Sequence, residues 1–241
     1  MAPPPQATLR NRLLRRMACE DFARLRPHLE PVRTELRQVL IETDAPIAAL
    51  YFPETGFSSM TTLGGRARGE IGLVGLEGLV GASPVLLGCD RGPFTHMVQA
   101  PGAMLRIAAG ALFAAAEASP SLRQLLLRSV QVQMIQTAQT AVVNATHQIE
   151  ARLARWLLMC HDRVEGDDLD LTHEFLSLML GVQRTSVTLA LQTLEGRQII
   201  RARRGRITIV DRPALLATAE GGYGIPEAEH VRLIEEGGSG R

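Results

Sequence analysis

Residues Leu171 to Leu194, L-T-H-E-F-L-S-L-M-L-G-V-Q-R-T-S-V-T-L-A-L-Q-T-L, constrain the fold more than any other stretch. Thr172 suits a helix N-cap, because its hydroxyl can accept an orphan backbone N–H. Phe175, Leu176, Met179 and Leu180 recur at three- and four-residue spacing and predict one helix. Gly181 ends it, where a left-handed residue costs least. A second helix starts near Gln183 and turns Val187, Ala190, Leu191 and Leu194 inward. Ser177 is small where the helices cross, and Val187 fills the space between them. This is the spacing of a helix-turn-helix, whose second helix enters the DNA major groove. The outward face would then be Gln183, Arg184, Thr185, Thr188 and Gln192, all hydrogen-bonding types. The spacing alone fits an ordinary antiparallel helix pair equally well.

The next segment favours the first alternative. Ile199-Ile200, then R-A-R-R-G-R, then I-T-I-V form two β-rich runs around an Arg-Gly turn, a hairpin signal. A helix-turn-helix followed by a hairpin is a winged helix. Between Gly181 and Arg212 stand Arg184, Arg197, Arg201, Arg203, Arg204, Arg206 and Arg212, against Glu195 and Asp211. The whole chain carries only +1, so positive charge is concentrated here, as a phosphate backbone requires. Thr172, heading the first helix, and Arg203, Arg204 and Arg206 in the hairpin join the candidate DNA contacts.

At 241 residues, 46% hydrophobic, the chain is long enough for two domains with cores. It has no run of eighteen apolar residues, and its start, M-A-P-P-P-Q-A-T, lacks a signal-peptide layout, so a cytoplasmic protein off the membrane is expected. All 26 basic residues are Arg, which excludes lysine Schiff-base chemistry and a lysine-dependent phosphate loop. Cys19, Cys89 and Cys160 form no Cys-x-x-Cys, so no disulfide framework, zinc site or other metal is expected. The six His (28, 96, 147, 161, 173, 230) are scattered and read as surface or capping residues. Glu70, Glu77, Asp90 and His96 show no nucleophile–base spacing, so neither an enzyme nor a cofactor is indicated.

Residues 1–8 are Pro-rich and expected to be disordered. Asn11 caps a short helix through Arg16, and residues 19–29 form another with Phe22, Leu25 and Leu29 inward. From Leu36 to about Arg106 the pattern changes to short runs: 39–41, 50–52, 57–63 ending at Gly64-Gly65, 70–74, 97–100 and 103–107. Gly-rich punctuation stands at 75, 78 and 81. Strands at this spacing predict a small antiparallel barrel or sandwich. Phe113 to Thr146 reads as one long helix. Leu127, Val130, Met134, Thr137 and Ala141 make a heptad-like seam, and Leu125, Leu126, Val132, Ile135 and Val142 a second stripe. Such a helix packs its own barrel on one side and a second copy on the other, or is a plain core helix. His147 to Arg163 is amphipathic through Ile149, Leu153, Trp156 and Leu157. The tail from Gly221 is expected to be mobile apart from residues 226–235.

Small barrel, long helix and C-terminal winged helix occur in this order in the Crp/Fnr superfamily of bacterial transcription regulators, which the chain resembles over residues 15–218. E-A-R-L-A-R-W-L-L-M (150–159), residues 171–188 and R-G-R-I-T-I-V-D-R (204–212) carry the resemblance. It implies that Arg184 reads guanine, with Thr185 a polar neighbour and Ser186 a phosphate contact. The place of a second family Arg is filled by Thr188 and Leu189, so the half-site differs from that of the cyclic-AMP receptor. In the barrel, Val80-Gly81-Ala82 falls on the family's F-G-E, and Phe94-Thr95-His96 on its R-[ST]-A. Both charged ligands for a cyclic nucleotide are then absent. Only Cys19 stands where the iron–sulfur branch has a cysteine cluster, and no haem site is recognisable.

The expected fold is α+β: a cyclic-nucleotide-binding-like β-barrel (jelly roll) sensor over 15–118, a long dimerisation helix and hinge over 119–146, a winged helix-turn-helix over 147–218 and a tail over 219–241. The expected function is a homodimeric regulator binding a palindromic operator in double-stranded DNA and working with RNA polymerase. Its small-molecule effector is nonstandard or absent, with Gly81, Ala82, Arg91, Phe94 and Thr95 the candidate pocket. The alternative is a sensor or adaptor acting through protein contacts, with weak DNA binding.

Overall fold

The computed structural model describes residues 5–62 and 69–237. The Gly64-Gly65 turn lies outside them, as do Leu63, the first four residues and the last four. Asn11 accepts the Leu14 N–H and so starts α1 (Arg12–Arg16). α2 (Cys19–Leu25) buries Phe22 and Leu25. Residues 6–8, expected to be disordered, form a turn held on α1 by Gln6, whose amide donates to the Leu14 and Met17 carbonyls at 2.9 and 2.8 Å.

Seven antiparallel strands follow: β1 (Glu30–Arg33), β2 (Val39–Ile41), β3 (Ala49–Pro53), β4 (Phe57–Thr62), β5 (Gly69–Val74), β6 (Thr95–Ala100) and β7 (Ala103–Ala108). They make two sheets, β1-β7-β3 and β2-β6-β4-β5, the jelly-roll-like arrangement expected, with the barrel not closed. Leu50, Phe52, Leu105 and Ile107 fill the core between sheet and helices. β4 and β5 are buried on both faces, because Phe57 and Leu73 belong to the hydrophobic cluster of the C-terminal domain. α3 (Ala82–Leu86) replaces part of the Gly-rich punctuation. Gly81 caps it at φ +84°, and a Cβ there would lie 2.3 Å from Ile41 Cδ1.

The helix expected over Phe113–Thr146 is two: α4 (Ala109–Ala118) and α5 (Pro120–Thr146). Ser119 is extended between them, and Pro120 opens α5, where a missing N–H costs nothing. Asp21 accepts hydrogen bonds from the Ser119 and Ser121 hydroxyls, at 2.5 and 2.7 Å, which pins the break. α5 buries Leu122, Leu126, Val132, Gln136 and Val143. Val142, placed on the inner stripe by its hydropathy, is exposed, and Val143 takes that role. No helix among the described residues is long and apolar enough to cross a membrane.

The C-terminal part comprises α6 (Ile149–His161), β8 (Asp168–Leu169), α7 (His173–Leu180), α8 (Arg184–Gly196), β9 (Ile200–Arg203), β10 (Arg206–Ile209) and α9 (Arg212–Thr218). Its three-stranded sheet runs β8-β10-β9. The tail is more anchored than expected. The Gly222 carbonyl accepts Arg155 Nε at 3.0 Å, Tyr223 donates to Asp162, and α10 (Ile225–His230) packs on α5.

Candidate nucleic-acid interface and effector cavity

Thr172 accepts the Phe175 N–H at 3.2 Å and starts α7. Gly181 ends it at φ +63°, ψ +35°, a conformation that strains residues with a Cβ. Val187, Ala190, Leu191 and Leu194 are buried against α7 and α6, so the opposite face of α8 is fixed outward. Gln183, Arg184 and Thr185 are exposed at its start, and Ser186 is half-buried. Thr188 is turned inward: its hydroxyl donates to the Arg184 carbonyl and meets His173 Nδ1, both at 3.0 Å. After α8, Arg204-Gly205 turns the β9–β10 wing.

The arginines divide into two sets. Arg184, Arg203 and Arg204 are exposed and make no ion pair among the described residues. Arg206 is held by Asp170 at 3.0 Å and Asp168 at 3.5 Å, and Arg212 by Asp162 at 2.6 Å. The acidic run Asp167-Asp168-Asp170, in the sequence before α7, was the signal that Arg206 is partly neutralised.

Of the five candidate pocket residues, Gly81, Ala82 and Phe94 line one cavity of about 320 Å³ between the β2-β6-β4-β5 sheet, α3 and α5. Arg91 does not; it is exposed and paired with Asp90 at 2.9 Å. Thr95 is buried, and its carbonyl accepts the Thr61 hydroxyl at 3.3 Å. The lining is otherwise apolar (Ile41, Ile71, Leu79 among it), with Ser129, Gln133 and Thr137 from α5. Among the described residues its one titratable lining group is His96, whose buried Nδ1 finds no partner among them and whose pKa burial lowers to about 4. His96 and His230 are therefore interior residues, not the surface or capping histidines expected.

The seam residues sit on the open side of α5. Leu127, Met134 and Ala141 are exposed, Met134 by 59%, while Val130 and Thr137 are half-buried. Val130, Met134 and Thr137 also border the cavity.

A buried polar set joins the two domains, and the sequence did not announce it. Trp156 Nε1 donates to Glu70 Oε1 at 2.8 Å, and Arg163 pairs with Glu77 at 2.7 Å. Gln99 donates to Ser59 and reaches Met179 Sδ. Burial raises Glu70 to about pH 8, against the Trp156 hydrogen bond and the Arg155 and Arg163 charges. Arg163 holds Glu77 below the usual carboxylate range in spite of burial. Lone acids in apolar strands, and one Trp in an amphipathic helix, were the available hints. The described residues contain no cluster of three or more His, Cys, Asp or Glu that could hold a metal.

A two-sheet N-terminal domain, a long helix and a winged helix-turn-helix follow one another along the chain. Residues 151–218 match the Crp-like helix-turn-helix domain family, and the fold of the chain is that of the Crp/Fnr transcriptional regulators. A Crp/Fnr-family transcriptional regulator from Eubacterium rectale superposes with a TM-score of 0.69 at 14% identity, covering 87% of this chain and 98% of that one. A Crp/Fnr regulator from Thermus thermophilus gives 0.65 at 19% identity, over 80% and 100%. The c-di-GMP-responsive regulator CLP of Xanthomonas campestris gives 0.63 at 16% identity, over 80% and 99%. A sequence search of curated proteins found no match.

Proposed function

We propose that the protein is a cytoplasmic, homodimeric, sequence-specific transcription regulator. The observation that carries this reading is the outward polar face of α8 followed by a wing whose exposed Arg203 and Arg204 make no ion pair among the described residues. Arg184 at the start of α8 is the main base reader, since Arg donating to guanine O6 and N7 is the commonest specific contact. Gln183, Thr185 and Ser186 position the helix. Two copies meet along the exposed α5 seam and present their recognition helices to a palindromic operator. RNA polymerase is the partner through which such a regulator acts. Selection of bound sequences from a random DNA pool tests the reading. An enriched palindrome with half-sites about 34 Å apart is expected. A pool with no enriched sequence would instead favour an adaptor working through protein contacts.

The effector belonging to this reading is uncharged and largely apolar. A cyclic phosphate in the cavity would lose hydration and meet no cation among the described lining residues. Because Val130, Met134 and Thr137 face both cavity and seam, an occupant bears on dimer geometry. Calorimetry with cyclic AMP and cyclic GMP should show no micromolar binding; micromolar binding that also tightens operator affinity would overturn this assignment.

A further inference from the structure

α8 carries one residue out of keeping with a polar, groove-facing surface. Leu189 is 63% exposed and belongs to neither hydrophobic cluster. It lies on the same outward side as Thr185 and Gln192, since Val187, Ala190, Leu191 and Leu194 define the buried side. Its neighbour Thr188 has its hydroxyl engaged at Arg184 and His173. At this level of the helix, Leu189 is therefore the side chain free to reach outward. The exposed Arg184, Arg203 and Arg204 of the same domain, in no ion pair among the described residues, match a polyanion rather than an apolar protein surface.

We propose that Leu189 reads the 5-methyl group of a thymine in the major groove and so helps to set the half-site sequence. The proposal rests on the DNA-binding reading above. A leucine side chain has no donor or acceptor, and the thymine methyl is the apolar feature that base pairs present in this groove. Cytosine at the same place would present an amino group and leave it dry beside the leucine. Five residues of helix rise about 7.5 Å, so the thymine lies about two base pairs from the guanine read by Arg184.

Deoxyuridine keeps every hydrogen-bonding group of thymine and lacks only the methyl. The test replaces each thymine of the selected operator in turn and measures affinity by fluorescence anisotropy. One position per half-site should weaken wild-type binding about fourfold, the equivalent of ~0.8 kcal/mol for one buried methyl. L189A should bind the thymine and deoxyuridine forms equally, while still discriminating against replacement of the guanine. Leu189 is exposed, so the variant's melting temperature should match the wild type. Absence of any methyl-sensitive position, or full methyl sensitivity in L189A, would overturn the proposal and leave Arg184 recognition standing. Failure of the wild type to enrich any sequence would remove both together.

Discussion

Exchanging Glu70 for Gln isolates the buried carboxyl between β5 and α6. Glu70 is 6% exposed; Oε1 accepts the Trp156 N–H at 2.8 Å, and Oε2 has no partner among the described residues. Its pKa is raised from 4.5 to about 8, desolvation outweighing the favourable contacts. The native state therefore keeps, between pH 4.5 and about 8, a proton that the unfolded chain has lost. Stability must fall as pH rises through that window, by ~1.4 kcal/mol per pH unit. His96, lowered to about 4, and His230, also lowered, work in the opposite sense, and only below their ordinary value of 6.5. From there to pH 8 Glu70 dominates, and the wild type should lose ~2 kcal/mol over roughly 1.5 pH units. E70Q keeps an acceptor for Trp156 and carries no titrating proton, so its stability should be nearly flat. Urea unfolding monitored by the single Trp gives both slopes directly. An E70Q slope equal to the wild type's would mean that Glu70 is ionised in the folded protein, and the reasoning would fail.

Charge at the α5 seam should break assembly: M134E would bury an unpaired carboxylate and should sediment as a monomer, whereas an intact dimer would move the interface elsewhere. R204A should weaken binding to all DNA sequences alike and reduce the slope of affinity against salt by about one charge per subunit. The same change at Arg206 should cost less, because Asp168 and Asp170 already hold that side chain; equal effects of R204A and R206A would contradict the division of the wing arginines.

The C-terminal domain was legible because its determinants are local. Thr172 caps, Gly181 turns left-handed and Val187 packs, all within sixteen residues of sequence. β1 was missed because E-P-V-R has no apolar alternation, and β8 because it spans only two residues. α5 was assigned by hydropathy, yet one of its buried positions is Gln136, whose side-chain oxygen accepts the Leu73 N–H at 2.7 Å. A polar residue on the inner face shifts the apparent stripe and placed Val142 wrongly. The domain junction was not legible at all. Glu70–Trp156 and Glu77–Arg163 each join residues 86 apart, and no local pattern reports such a pairing. The apolar character of the cavity was legible from Ala82 and Phe94, but the position of Arg91 was not, since it depends on the exposed pair with Asp90.

We propose that α8 reads sequence through Arg184. The most direct test compares wild type and R184A on the selected operator and on every single-base variant of one half-site. The expected result is a loss of about 1–3 kcal/mol at the operator, with discrimination removed at one base pair per half-site and retained at the others. Undiminished discrimination at every position by R184A would contradict it.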